Sequence, residues 1–266
     1  MKKPQEVVVV TNFSDEFAAH EDKKLSDAFS AHLPSRLQDV KTLLRFDLMD
    51  TTAYAFRCIY GESGTVETNL FSIYKELDER GISYINTFNS KGDQRGKEYL
   101  AELYALGFPV VPTSITAPAA IPYGASEYIV KPAFGGSSKG QRVVPYDALK
   151  NFAMPRNSVI QPKLEVAYET SYIFVDDEYE YALKTRGERW DLVIHEPTEH
   201  ELGLVKRFVE WNPVKGIQRV DCIWTTAGEQ LVLELEDWCP FLSLFDTSGT
   251  PKDKVIFDIL VSLRAL

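Results

Sequence analysis

The chain has 266 residues, is 44% hydrophobic and 12% aromatic, and carries a formal net charge of −10. That is enough material for a substantial core divided over two or three lobes. The acidic balance argues against a general nucleic-acid or membrane-surface binder, whose footprint is basic, and leaves room for a local basic pocket that takes a small phosphorylated ligand.

The opening MKKPQEVVVVTNF has a four-valine run, too short for the apolar core of a signal peptide. No segment approaches the ~18 apolar residues that would span a bilayer. Cys58, Cys222 and Cys239 are odd in number, scattered and without C-x-x-C spacing. This fits a reducing compartment better than a disulfide framework, so a cytoplasmic protein is expected.

In chain order, residues 7–10 read as a short buried strand. Residues 21–31 have helical spacing at Leu25, Ala28 and Phe29. Residues 35–65 have no clear period. Residues 66–80 align Leu70, Ile73, Tyr74 and Leu77 on one helical stripe, stopped by Gly81, and residues 82–85 follow as a strand. A small α/β lobe over residues 1–90 is expected. A helix over residues 96–106 ends at Gly107, and the proline- and alanine-rich stretch 113–127 marks a crossing into a second lobe at 113–161. Residues 91–112 and 162–266 make the third. Within the second lobe, residues 128–132 form a strand carrying Lys131, residues 145–152 a short helix, and residues 158–161 a strand leading to a hinge at Pro162.

Residues 128–142, YIVKPAFGGSSKGQR, join a strand, a lysine and a glycine-serine loop. The common phosphate loop places Lys and Ser/Thr after its second glycine. Here Gln141 and Arg142 follow Gly140, and Lys131 precedes the loop. Any phosphate bound here is held by another geometry. HEPTEH at 195–200 imitates a zinc helix, but Glu199 stands where histidine is required and Pro197 disfavours the helix, so a surface loop is expected.

From Glu169 onward two strands are joined by Asp176, Asp177 and Glu178; RVDCIW (219–224) and LVLELE (231–236) then form a hairpin around TTAGEQ. With Ala227 and Gly228 as a two-residue loop, opposed positions sum to 455, so Asp221 faces Glu234 and Arg219 faces Glu236 on one side. Val220, Cys222, Leu233 and Leu235 take the other. Three carboxylates converging with one arginine repel one another unless cations screen them, and an oxygen-only cluster suits Mg²⁺ bridged to phosphates. The alternative is a solvated sheet face with cross-strand ion pairs.

Taken in order, Lys97 before G-F-P-V-V-P-T, Y-I-V-K-P with its glycine-serine loop, V-I-Q-P-K-L, E-T-S-Y-I-F-V-D-D-E, R-V-D and L-E-L-E resemble the ATP-grasp superfamily, and are most similar to its glutathione-synthetase-like carboxylate-amine ligases. The resemblance covers residues 86–245. It implies an ATP-grasp fold of the α/β class, built of α+β lobes: a small N-terminal α/β lobe, a central lid lobe and a C-terminal antiparallel-sheet lobe. It further implies ATP and Mg²⁺ as cofactors, small-molecule carboxylate and amine substrates joined through an acyl phosphate, and a homodimer. Carried onto this chain, Lys97 and Lys131 would meet the phosphates under a lid containing Gly135, Gly136, Ser137 and Ser138. Gln161, Lys163 and Leu164 would line the adenine, Glu169 would hold the ribose, and Lys184 would approach the phosphates. Asp221, Glu234 and Glu236 would hold the metal. Glu236 stands where most relatives have asparagine, which adds charge. Arg219 would hold the carboxylate or developing oxyanion, or serve only as the ion-pair partner of Glu236. A kinase on the same scaffold and a non-catalytic ATP-binding module are the competing readings.

Overall fold

The computed structural model describes residues 3–59, 70–86, 90–116, 124–135, 138–187 and 191–264. Three sheets carry them. In the first, β1 (Glu6–Thr11), β2 (Ser35–Asp39), β3 (Thr52–Phe56) and β4 (Tyr84–Ile85) run parallel in the order β2-β1-β3-β4. Val7 to Val10 are buried on both faces, which is the usual fate of a parallel strand covered by helices. The same burial leaves β3 without a period within the unassigned stretch 35–65: TAYAF is buried at every position, so it has no alternation to read. β2 is a polar edge strand, SRLQD.

The first helix, α1 (Glu16–Phe29), starts earlier than its apolar spacing suggests, because the Asp15 side chain caps it by accepting the Ala18 N–H at 3.0 Å. In α2 (Leu70–Arg80), Leu70, Ile73, Tyr74 and Leu77 are the buried residues, as expected; residues 66–69 lie outside those described. The third helix, α3 (Tyr99–Ala105), is shorter than its expected 96–106 span.

A second sheet is antiparallel, with β5 (Glu127–Pro132) between β6 (Arg142–Pro145) and β7 (Ser158–Pro162). A 3₁₀ turn at Tyr146–Asn151 replaces the short helix expected there. The third sheet is antiparallel in the order β10-β9-β8-β11-β12. Its strands are β8 (Val166–Val175), β9 (Glu178–Thr185), β10 (Leu192–His195), β11 (Ile217–Thr225) and β12 (Gln230–Glu236). One face packs Tyr172, Phe174, Val220, Cys222, Val232 and Leu235 against α3 and against α4 (Glu199–Trp211). The other face shares a core with β1, α1 and α5 (Lys252–Ser262), so the end of the chain packs back between the first and third sheets.

The loop expected at HEPTEH is in part the start of α4: Thr198 and Glu201 form a capping box, and His195 on β10 meets Glu201 at 2.6 Å. No metal cluster forms there among the described residues. Among them, too, no helix is long and apolar enough to cross a membrane.

The cysteine expectation is corrected. Cys58, just after β3, is joined to Cys239, just after β12, by a disulfide, and only Cys222 is free. A pairing across 181 residues leaves no trace in local spacing. Beside it, buried Arg57 donates to Asp22 and Glu21 at 3.0 and 3.1 Å. Glu21 in turn accepts the Leu242 N–H at 2.9 Å and the Ser243 N–H at 2.7 Å. The N-terminal lobe is thus fastened to the segment that follows β12.

Candidate functional site

The β11–β12 hairpin pairs Arg219 with Glu236 and Asp221 with Glu234, the register expected from alternation. It reaches that register by another route. The Thr225 N–H donates to Glu229 O and the Gly228 N–H to Thr225 O, both at 2.9 Å, so the turn holds three residues with Gly228 at φ 85°. Such a turn alone would slide the pairing by one residue and set Asp221 opposite Leu233. A bulge between Asp221 and Cys222 restores it: Cys222 faces Val232, and Leu233 becomes the extra residue. Val232, rather than the expected Leu233, therefore joins Val220, Cys222 and Leu235 in the core.

One oxygen from each of Asp221, Glu234 and Glu236 lies within 4.8 Å of the others. Arg219 forks onto Asp221 at 2.8 and 2.7 Å, reaches Glu236 at 3.1 Å, and donates through Nη1 to Phe241 O at 2.7 Å. On the facing wall Lys97 bridges Asp93 and Glu234, the latter at 2.8 Å. Asp93 was not anticipated. The Tyr99 hydroxyl donates to it at 2.8 Å while accepting the Leu235 N–H at 2.6 Å, which fixes this wall to β12. Asp93 and Lys97 are four apart in sequence, but on a 3₁₀ turn and its exit rather than on an α-helix, so the spacing gave no warning. Lys97 precedes α3 instead of lying on it. Its N–H donates to Ala133 O at 2.8 Å, bringing it to the end of β5.

Lys131, at that strand end, is 5% exposed, and its ammonium makes no hydrogen bond or ion pair among the described residues. Burial lowers its pKa, opposed first by the charge of Glu234. Burial alone would raise Glu234, but Lys97, Lys131 and Arg219 outweigh it and hold that carboxylate at about 2. Glu236 goes the other way. Burial and the neighbouring negative charges of Asp221, Glu234 and Asp93 push it up to about 8 against the pull of Arg219. Burial likewise raises Asp93 to about 6, with Glu234 adding to it and Lys97 opposing. One buried oxygen of Glu236, Oε2, has no hydrogen-bond partner. Crowded, oxygen-only ligands with an unsatisfied carboxylate oxygen fit a hard divalent cation such as Mg²⁺.

The remaining expected residues are distributed unevenly. Gly135 and Ser138 lie in the loop after β5, both at positive φ (111° and 59°), and Gly136 and Ser137 fall outside the described residues. Gln161 is buried and donates to Thr113 Oγ1 at 2.8 Å. Lys163 is exposed, its ammonium 2.7 Å from Glu127, and Leu164 is half-buried beside it. Glu169 pairs with Ile223 and so shares the face of Asp221. Lys184 does not. It pairs with Thr170, which pairs with Cys222, placing it on the opposite face with its ammonium 3.5 Å from the Tyr168 ring centroid. A one-residue parity decides this, and the sequence left the register of β9 open.

No protein-family model and no curated protein matches this sequence. Solved structures do match in fold. D-cycloserine synthetase DcsG superposes with a TM-score of 0.71 at 19% identity, over 98% of this chain and all (100%) of that one. The ATP-grasp ligase PsnB, in complex with a variant precursor, Mg and ADP, gives 0.69 at 16% identity over 98% and 100%. D-alanine–D-alanine ligase from Bacillus anthracis complexed with ATP gives 0.63 at 13% identity over 98% and 97%. With the parallel N-terminal sheet, the small central sheet and the C-terminal antiparallel sheet all in place, the chain has the ATP-grasp fold.

Proposed function

We propose that the protein is an ATP- and Mg²⁺-dependent ligase of the glutathione-synthetase-like kind, joining a small amino-acid or peptide-like carboxylic acid to an amine through an acyl phosphate. The observation that carries this reading is Lys131: a buried ammonium with no ion pair among the described residues, acting through space on Glu234 of a crowded acid cluster in which Glu236 keeps one buried oxygen without a hydrogen-bond partner. Each half is costly alone. A magnesium-bound triphosphate completes both, with Asp221, Glu234 and Glu236 holding the metal and Lys97 and Lys131 the phosphates. The fold neighbours support it: two of the three are ligases solved with nucleotide, PsnB with Mg and ADP and D-alanine–D-alanine ligase with ATP.

When bound, Mg²⁺ would neutralise phosphate oxygens and draw charge from the transferring phosphoryl group. The chain's own groups do the positioning. Asp93 and Tyr99 hold Lys97 toward the acid cluster, and Lys131 presents its charge from a water-poor wall where it acts strongly. Arg219 is oriented by Asp221 through Nε and Nη2 and by Phe241 O through Nη1; its second Nη1 hydrogen is the donor left for a substrate carboxylate. The substrate carboxylate oxygen attacks the terminal phosphorus and ADP departs; the amine then attacks the acyl carbon, phosphate departs, and the amine proton passes to solvent. Hydroxylamine tests the intermediate. With Mg-ATP and an amino-acid panel a hydroxamate is expected, falling by at least about a hundredfold in Lys131→Ala and Glu234→Ala, in the range seen when one charge-stabilising donor is removed. A phosphorylated alcohol with no hydroxamate would refute the ligase and favour a kinase.

A further inference from the structure

Next to the carboxylates, the segment after β12 is held from three directions. Arg219 Nη1 donates to Phe241 O at 2.7 Å, Glu21 of α1 accepts the Leu242 and Ser243 N–H groups, and the Tyr181 hydroxyl donates to Leu242 O at 2.6 Å. The disulfide at Cys239 anchors the same segment to the end of β3. Phe241 therefore sits on a rigid mount one guanidinium away from Asp221. Its ring meets that of Phe17 edge-on, with centroids 4.8 Å apart. Phe17 lies in the first turn of α1, at the carboxyl end of β1, where open parallel sheets receive their ligands. Although it packs on Phe241, it remains 54% exposed. Isolated surface aromatics need no explanation, but this one is half of a fixed pair whose other half is hydrogen-bonded to the arginine of the acid cluster.

We infer that Phe17 and Phe241 form the apolar wall receiving the side chain of the carboxylate substrate, so that the site selects acids bearing an apolar or aromatic side chain. The inference rests on the ligase reading and deepens it. The carboxylate meets Arg219, and the substituent lies against the two rings. A wall fastened to both lobes is preorganised and loses little freedom when it is covered. Phe17 and Phe241 are specificity-determining residues and take no part in phosphoryl transfer.

The test is hydroxamate formation from L-leucine, L-phenylalanine, L-glutamate and L-lysine with Mg-ATP, run beside thermal-shift measurement of Mg-ATP binding. Leucine and phenylalanine are expected to exceed glutamate and lysine in kcat/KM by about tenfold or more, the discrimination an apolar contact of this size supplies. Phe17→Ser, at an exposed position that does not threaten folding, is expected to raise KM for the apolar acids about tenfold while the Mg-ATP shift persists. Phe17→Leu restores most of the loss, and Phe46→Ala, an exposed control in the N-terminal lobe, changes nothing. Intact Mg-ATP binding with no preference for apolar acids, or with Phe17→Ser unaltered in KM, overturns the inference and leaves the ligase reading standing. Absence of the Mg-ATP shift in the unmodified protein overturns both.

Discussion

Glu201, at the head of α4, is nearly buried, yet its neighbours keep it charged. Burial would raise its pKa, but the Thr198 N–H at 2.7 Å, His195 at 2.6 Å and the Tyr172 hydroxyl at 2.9 Å more than compensate and hold it at about 2. Its folded value lies below its ordinary 4.5, so its stabilisation is complete above about pH 4.5 and disappears as pH falls toward 2. Glu201→Gln is expected to cost about 1.5–3 kcal/mol at pH 7, the range for hydrogen bonds to a charged group, and the cost should shrink across that acid window. Denaturant titrations at pH 7, 4 and 2.5 read it; a cost that does not change with pH contradicts the account. Legibility at this scale followed chemistry. Arg219, Asp221, Glu234 and Glu236 alternate on paired strands, and their convergence could be derived before any contact was known. Asp93 could not, because its importance lies in touching Lys97 and Tyr99 across a turn of no regular period.

The β11–β12 hairpin shows how an element can be read correctly for an incomplete reason. The expected two-residue turn and the observed three-residue turn differ by one register step, which the bulge at Leu233 removes before the chain reaches Asp221. A one-residue slip would turn the side chains to the wrong face, so the bulge is what keeps the acids together. Gly228 meets nothing within 4 Å of a Cβ placed on it, and its φ of 85° is the whole reason for glycine there. Gly228→Ala is therefore expected to cost about 1–2 kcal/mol of backbone strain and lower Tm by roughly 2–8 °C, with Mg-ATP affinity unchanged because the bulge still sets the register. Loss of nucleotide binding at unchanged Tm would show that the turn itself governs the site. Elsewhere, periodic elements such as α2 were readable, and those buried on every side, such as β3, were not. The start of α1 was set by its Asp15 cap rather than by its apolar stripe.

At the scale of the molecule, the order of the lobes was legible, since each sheet is built from consecutive stretches of chain. Long-range closure was not. Neither the Cys58–Cys239 bridge nor the return of α5 onto the N-terminal sheet leaves a local mark in the sequence. Those closures fasten the N-terminal sheet to the wall bearing Arg219, Asp221, Glu234 and Glu236, while the Leu235 N–H on the Tyr99 hydroxyl and the Lys97 N–H on Ala133 O hold Lys97 and the end of β5 opposite it. The account stands on these walls sharing one magnesium-bound triphosphate. Calorimetric titration with a non-hydrolysable ATP analogue tests that most directly. Binding is expected in the presence of Mg²⁺ and weakened at least about tenfold by EDTA, by Lys131→Met and by Glu234→Gln alike, one lost charge contact being worth about 1.4 kcal/mol or more. Equal affinity with and without Mg²⁺, or an unaltered Kd in Lys131→Met, would contradict it.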